Sequence, residues 1–376
     1  MTTALTTTNI GVTRMTLVDA LALGPAAWET LEHSAATPSP FMSWAWYRAW
    51  ADSGVGRADV AQSEALVLRN TDGGVAALLP LLSRRVAYHR VPVSALTWAA
   101  GDVGCPDHLD LLAMPGAPVA DFVASLESLP WELLIFSNLS PEAITTWRLC
   151  ESFAARGYEV RGEELWVCPY LDLPNDWERY LGTLTPTRRQ TVRRKERQLA
   201  QQHQVTITDY EADRVDEGLG HLMTLHERRW EGDAGEGAFR DPGVRRLHHR
   251  FAAELAARGR LWLSTLDIAG EPVAAWYGFT CGETVYFYQS GRDPGWERES
   301  VGLVLMATMI RRAIERGYRR FDFLRGADPY KRQWTTTQRS TETVTIFRPG
   351  LRGRVLRVLD AVGGLRARMQ RARRVE

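Results

Sequence analysis

The chain has 376 residues, with 46 Lys plus Arg against 45 Asp plus Glu, so its net charge is +1; 45% of it is apolar and 24% charged. That length predicts two domains, and the even charge gives no support to nucleic-acid binding by overall charge, which leaves only local basic patches; no DNA partner is expected. Cys105, Cys150, Cys168 and Cys281 have neither metal-ligand nor redox spacing, which predicts inert reduced thiols in a cytoplasmic protein and no metal site. The first residues lack a basic region followed by an apolar run, and no stretch reaches the ~18 apolar residues of a membrane span. A soluble protein is expected.

In chain order, Gly11 to Val18 is patterned as a strand, Pro25 to Ser34 as a helix and Ser43 to Ala51 as a Trp-rich helix. Ala65 to Arg69 and Val75 to Ser83 flank Thr71-Asp72-Gly73-Gly74 and predict a hairpin, with Val86 to Trp98 continuing the sheet. A helix over Val119 to Ser128, a buried strand over Trp131 to Phe136 and a helix from Pro141 to Arg156, stopped by Gly157, complete the first half. The domain boundary is expected between Gly162 and Asn175. Asp176 to Gln202 is a charged helical segment broken at Pro186, along which Arg188, Arg189, Arg193, Arg194, Lys195 and Arg197 cluster. A solvated face and a phosphate or polyanion site both account for that cluster.

The second half is more sharply patterned. Val205 to Tyr210 alternates as a strand, and helices follow over Val215 to Trp230 and Pro242 to Ala257, the latter with Asp241 as N-cap and proline at its first position. Arg260 to Ile268, Pro272 to Thr280 and Thr284 to Ser290 form a meander joined by short Gly-containing turns. A polar loop, Gly291 to Glu299, leads to Ser300, expected to cap an apolar helix from Gly302 to Arg316 that Gly317 stops. A strand around Asp322, a turn at Tyr330 and a strand from Glu342 to Phe347 finish the order β-α-α-β-β-β-α-β-turn-β, of which the first half is a fainter copy.

Arg319 to Trp334 is the segment richest in chemistry. Asp322 lies between Phe321 and Phe323, Arg325-Gly326 follows, and a Pro-started turn presents Tyr330 and Lys331, one of only two lysines. A carboxylate, a guanidinium, a phenol and an amine at one sheet end suit a catalytic edge; a satisfied Asp beside a solvated basic turn is the plainer alternative. His226-Glu227 would line an acceptor cleft or simply be solvated, and His248-His249, being adjacent, face different ways, against a shared metal. Asp107-His108-Leu109-Asp110 would contact an acceptor or fill a turn with Asx hydrogen bonds. Trp44, Trp46 and Trp50 are expected in the core more than on a sugar.

The element order resembles the GNAT acyltransferase fold, and this is where the local sequences are most specific. Phe321-Asp322-Phe323-Leu324-Arg325-Gly326 with Tyr330-Lys331, and Tyr286-Phe287-Tyr288-Gln289-Ser290-Gly291 with Ser300-Val301-Gly302-Leu303, resemble the CelD-like branch of that superfamily, which is related to the Fem aminoacyltransferases. Phe41-Met42-Ser43-Trp44-Ala45-Trp46 and Gly101 to Asp110 with Leu111-Leu112 match its habit too, so the resemblance spans about residues 40 to 348. It implies an α+β fold of tandem GNAT-like domains, each a mixed, mostly antiparallel twisted sheet flanked by helices. The expected division is a degenerate domain over residues 1–165, an acyltransferase domain over 166–350 and a basic tail over 351–376.

The function implied is transfer of an acyl group, acetyl foremost, from acyl-CoA to an amine or hydroxyl of a sugar, cell-envelope or small-metabolite acceptor, with no permanently bound cofactor. Tyr330 would act as general acid toward the leaving sulfur, Asp322 as base or orienter, and Lys331 as its partner. Tyr288, Gln289, Ser290, Arg292, Ser300, Val301, Gly302 and Leu303 would hold the donor, with its pyrophosphate on the helix amino end. Arg325, His226, Glu227, Asp107 and His108 would meet the acceptor. Departures exist: Arg292 to Gly302 keeps only parts of the Gln/Arg-x-x-Gly-x-Gly phosphate loop. The rivals are an aminoacyl-tRNA donor, disfavoured because the Arg-rich arm is short and proline-broken, and a catalytically inactive scaffold for polysaccharide synthesis.

The segment from Leu351 to Glu376 holds eight Arg against one Asp and one Glu, a local charge of +6, with Leu351, Val355, Leu359, Val362 and Met369 roughly on one helical face. Packing of that helix on its own protein is favoured over peripheral contact with an anionic membrane, and Gly363-Gly364 is expected to weaken it either way.

Overall fold

The computed structural model of the chain describes residues 11–35, 38–230 and 239–372. Its strands are β1 (Gly11–Thr16), β2 (Ser63–Arg69), β3 (Val75–Tyr88), β4 (Val91–Trp98), β5 (Leu112–Ala113), β6 (Leu133–Leu139), β7 (Glu159–Asp172), β8 (Val205–Asp209), β9 (Leu261–Ile268), β10 (Glu271–Cys281), β11 (Thr284–Arg292), β12 (Arg320–Asp322) and β13 (Gln338–Phe347). They fall into two compact units, one of Met1–Tyr47, Gly56–Leu165 and Thr341–Glu376, the other of Arg48–Val55 and Trp166–Ser340.

The first unit carries the order β1-β2-β3-β4-β6-β13. Every pair is antiparallel except β4 with β6. β3 and β4 form a two-residue hairpin at His89 and Arg90, both at positive φ (48° and 68°), where the sequence suggests continuous sheet from Val86. Such turns normally advertise themselves with Asn-Gly, and His-Arg carries no such mark. β13 pairs with β6, from Glu342↔Leu139 to Phe347↔Leu133. This places residues 341–350, which the sequence groups with the second half, in the first unit. The helix Leu351–Ala372 follows, and its Gly363-Gly364 does not interrupt it. It docks through Leu356, fully buried with Val93, Ala95, Leu133 and Phe347, and through Asp360, which accepts from Arg161 at 2.7 Å and from the Tyr88 hydroxyl.

The second unit carries β7-β12-β11-β10-β9-β8, antiparallel throughout except β11 with β12. The helices Val215–Trp230, Pro242–Ala257 and Val301–Glu315 pack on it. Proline placement explains several helix starts: Asp241 accepts from Gly243 N at 2.6 Å ahead of Pro242, and Thr185 caps the Pro186–Gln202 helix at Arg188 N. The core gathers Trp262, Trp276, Phe287, Phe321 and Phe323 of the sheet against Leu305, Met309 and Ile310 of the Val301–Glu315 helix. Each unit is thus a mixed, mostly antiparallel sheet with helices on it, and the fold is GNAT-like.

The two units divide between Leu165 and Trp166, inside a strand. Gly162 to Asn175 is largely strand, because β7 runs fourteen residues from Glu159 to Asp172. Its first half, exposed at Glu163, Glu164 and Leu165, lacks the apolar alternation by which a strand is recognised.

Candidate active site

The site begins where two parallel strands part. β11 and β12 pair only at Thr284↔Arg320, Val285↔Phe321 and Tyr286↔Asp322. Beyond Asp322 the chain turns to β7, Phe323 N donating to Pro169 O at 3.0 Å and Gly326 N to Val167 O at 3.0 Å. β11 meanwhile keeps its other edge on β10 as far as Ala274↔Arg292, with a bulge at Tyr277/Gly278. Gly278 is obligatory there: a Cβ would stand 2.2 Å from Tyr286 O and 2.4 Å from the Trp276 ring. Two neighbours drawn to different partners leave a wedge between them.

A cavity of about 390 Å³ opens in this part of the unit. Ser290, Gly291 and Arg292 line it from the end of β11, Ser300 to Leu303 from the helix start, and Tyr330, Gln333 and Trp334 from beyond β12. Arg188 and Arg229 complete a set of three guanidinium groups against one carboxylate, Glu297. Arg188 lies 4.4 Å above the Trp334 ring, its pKa lowered by burial, and a guanidinium stays charged in proteins. The cavity is cationic.

The helix amino end strengthens that field. Ser300 occupies the N-cap with φ 61° and makes no side-chain capping bond, contrary to the cap expected of it. Leu303 N and Val304 N both reach Ser300 O, at 2.9 and 3.1 Å, so the Val301 and Gly302 amides have no intrahelical acceptor. Together with the positive end of the helix dipole they suit an anion such as a phosphate. At Gly302 a Cβ would meet only Arg292 Cδ, at 3.5 Å, so glycine is not sterically required there.

Tyr330 belongs to the short helix Pro329–Arg332. Among the described residues its hydroxyl has no hydrogen-bond partner, and Arg229 stands 5.8 Å from the ring centroid. Burial first, and then the Asp328 carboxylate, push the phenol well above its ordinary pKa, with Arg229 opposing weakly. At neutral pH it holds its proton and can donate it.

The other residues singled out by the sequence stand elsewhere. Asp322 is fully buried and accepts from Leu324 N and Arg339 Nη2, both at 2.7 Å. Lys331 is buried too, its ammonium donating to Arg325 O at 2.6 Å and lying 3.6 Å from Asp328. Neither lines the cavity, because each is spent holding the turn after β12. Arg325 lies 5.5 Å over the Trp166 ring, and Glu227 pairs with Arg245. His226 is buried and packs edge-on to Phe239, its pKa lowered to about 4 by burial and by Arg229. Tyr288 and Gln289 precede the lining stretch of β11; Tyr288 hydrogen-bonds His248 Nε2 at 2.9 Å, and Gln289 Oε1 accepts from Ser290 N.

Asp107 and His108 belong to the first unit and are buried. In that loop Asp110 organises the backbone: it accepts from Leu111 N at 2.7 Å, Thr146 N at 2.8 Å and the Thr146 hydroxyl at 2.7 Å. Among cavity residues the sequence reading missed Arg229, Gln333 and Trp334. No local sequence signal marks Arg229, which the packing of the Val215–Trp230 helix brings to the cavity.

His248 offers a pH test of the unit. It is fully buried, and burial lowers its pKa to about 3 from 6.5. The unfolded chain therefore takes up a proton first as pH falls. Stability present above about pH 6.5 is lost progressively toward pH 3, by up to about 1.4 kcal/mol per pH unit. Urea unfolding at neutral pH and at about pH 5 should show a smaller acid loss for His248→Gln than for the parent. Equal losses would remove His248 from the account.

Comparison with known proteins agrees with this geometry. Residues 186–332 match the family model of the acetyltransferase (GNAT) domain. The match takes in the cavity lining from Arg188 to Tyr330. The chain as a whole resembles FemX in fold, with a TM-score of 0.58 at 11% identity over 88% of this chain and 96% of that one. It also resembles the C-terminal domain of a putative lysylphosphatidylglycerol synthetase from Agrobacterium fabrum, with a TM-score of 0.52 at 12% identity over 91% and 97%. A conserved protein of unknown function from Bacteroides thetaiotaomicron gives 0.54 at 11% identity over 86% and 98%. At such identities the likeness is one of fold. No curated protein sequence matches the chain. Among the described residues, no group of three or more His, Cys, Asp or Glu is placed to hold a metal ion, and no helix is long and apolar enough to cross a membrane.

Proposed function

We propose that the chain is an acyl-CoA-dependent acyltransferase of the CelD-like kind, with acetyl-CoA the first donor to test. The observation that carries this reading is the cationic cavity where β11 parts from β12, closed by an uncapped helix amino end and by the protonated phenol of Tyr330. The donor's diphosphate would lie on the Val301 and Gly302 amides with Arg292 and Arg188 beside it, and its pantetheine arm along the unpaired edge of β11. An amine or hydroxyl of the acceptor attacks the thioester carbonyl carbon. The tetrahedral oxyanion then collapses, the C–S bond breaks, the thiolate takes the Tyr330 proton, and the acceptor's proton leaves to water. Asp322 and Lys331 position the turn that carries Tyr330. A sugar or cell-envelope acceptor is the class suggested by the CelD-like resemblance.

Calorimetric titration with acetyl-CoA, longer acyl-CoAs and free CoA tests the donor. Binding is expected, weakened roughly tenfold to a hundredfold by Arg292→Glu, which removes a charged donor from the cavity. No heat with any of them would end the CoA reading. A second reading takes an aminoacyl-tRNA as donor. The whole-chain likeness to FemX supports it, as do Arg193, Arg194 and Arg197, exposed along the Pro186–Gln202 helix. It requires tRNA binding that falls steeply with salt and weakens when those arginines are replaced.

A further inference from the structure

The Leu351–Ala372 helix has a second apolar side that its docking leaves uncovered. Leu351, Val355, Val358 and Val362 are 82%, 57%, 63% and 43% exposed, and spacings of four, three and four put them on one stripe. The docked side, Leu356 with Asp360, faces the opposite way on the helical wheel, so the stripe is not the packing face turned outward. The remaining exposed large apolar residues among those described, Val18, Ile144, Leu165 and Trp166, lie in other elements. The same spacing continues in the sequence at Leu365 and Met369.

Charge decides what covers this stripe. Residues 351–376 hold eight Arg against one Asp and one Glu. Exposed Arg354 follows the first stripe residue, and Arg366, Arg368, Arg371, Arg373 and Arg374 crowd the sequence beyond it. Pairing with a second copy would bring two such cationic helices together. A nucleic acid would take the arginines and leave the aliphatic stripe wet. An anionic bilayer satisfies both: acyl chains accept the stripe and headgroup phosphates the guanidinium groups. We propose that this helix is an interfacial membrane-binding surface, lying in the plane of an anionic phospholipid layer and held there from behind by Leu356 and Asp360.

The full chain and its Val355→Glu/Val358→Glu double variant should be sedimented with phosphatidylcholine vesicles, with and without phosphatidylglycerol. Both substituted positions are exposed, so thermal unfolding should not change. The parent is expected to bind the phosphatidylglycerol vesicles, less so as salt rises, and the double variant at least about tenfold more weakly. Three results would overturn the proposal. The first is a parent left in solution with anionic vesicles; the second is equal binding of those vesicles by the two proteins. The third is concentration-dependent self-association of the parent, lost in the variant, with vesicles unbound; that would assign the stripe to a second copy.

Discussion

Replacing Tyr330 with Phe is expected to lower kcat by about 10²–10³-fold while leaving the affinity for acyl-CoA within about twofold. The substitution removes one oxygen whose only assigned task is to hand a proton to the departing sulfur. That hydroxyl is bonded to nothing among the described residues, so its loss strands no partner and stability should hardly change. The phenol's raised pKa adds a second expectation. No loss of activity on the alkaline side traces to Tyr330 through the ordinary phenol range, because burial and the Asp328 carboxylate keep the proton on. Equal kcat in the two proteins would shift the proton to water or to the acceptor, and an absence of turnover in the parent with every acyl-CoA and aminoacyl-tRNA would favour a scaffold. The measurement is a steady-state rate with the thiol released, alongside calorimetric donor affinity.

Asp322→Ala is expected to destabilise the second unit by about 3–5 kcal/mol. The carboxylate is fully buried 2.7 Å from Arg339, and the same group accepts from Leu324 N at 2.7 Å, where the backbone stands at φ 54° without being glycine. Its removal leaves a largely buried guanidinium without this carboxylate and releases a strained turn. Combining it with Arg339→Met should recover much of the loss, since a buried pair replaced by apolar groups is often close to neutral. Denaturant unfolding checks the stability. A kinetic assay of Asp322→Asn separates the roles: a base would show a large fall in kcat at nearly native stability, a positioning residue a fall that tracks the stability lost.

The two halves of the chain differ in how much they disclose. In the second half the Pro242–Ala257 and Val301–Glu315 helices and the β9–β11 meander follow from Asp-Pro starts, glycine stops and short turns, all local chemistry. In the first half the His89–Arg90 turn carries no such mark, and the Leu17–Ala22 helix, although Thr16 caps it at Asp19 N, is only six residues long and begins inside the stretch patterned as a strand. The first half of β7 is polar and exposed, so it carries no strand pattern, and the units divide within it at Leu165. The site shows the same division. Tyr330, Ser290, Arg292 and Ser300 to Leu303 are sequence neighbours of one strand, one loop and one turn, and they meet in the cavity. Arg188 and Arg229 come from two other helices, and only packing brings them there.

Local chemistry in the sequence was therefore enough for the element order of the second half and the phenol after β12, whereas the bulge at Gly278 showed only in the strand register. Tertiary structure decided what spacing cannot express. Asp322 and Lys331 look like reacting groups along the chain, yet Asp322 is engaged by Leu324 N and by Arg339 of β13, and Lys331 by Arg325 O. The apolar residues of the Leu351–Ala372 helix read as a packing face, yet Leu356 makes the contact and the stripe is left outside. A side chain's neighbours across space, rather than its type, fix whether it is satisfied, and those neighbours are set only when distant segments close on one another.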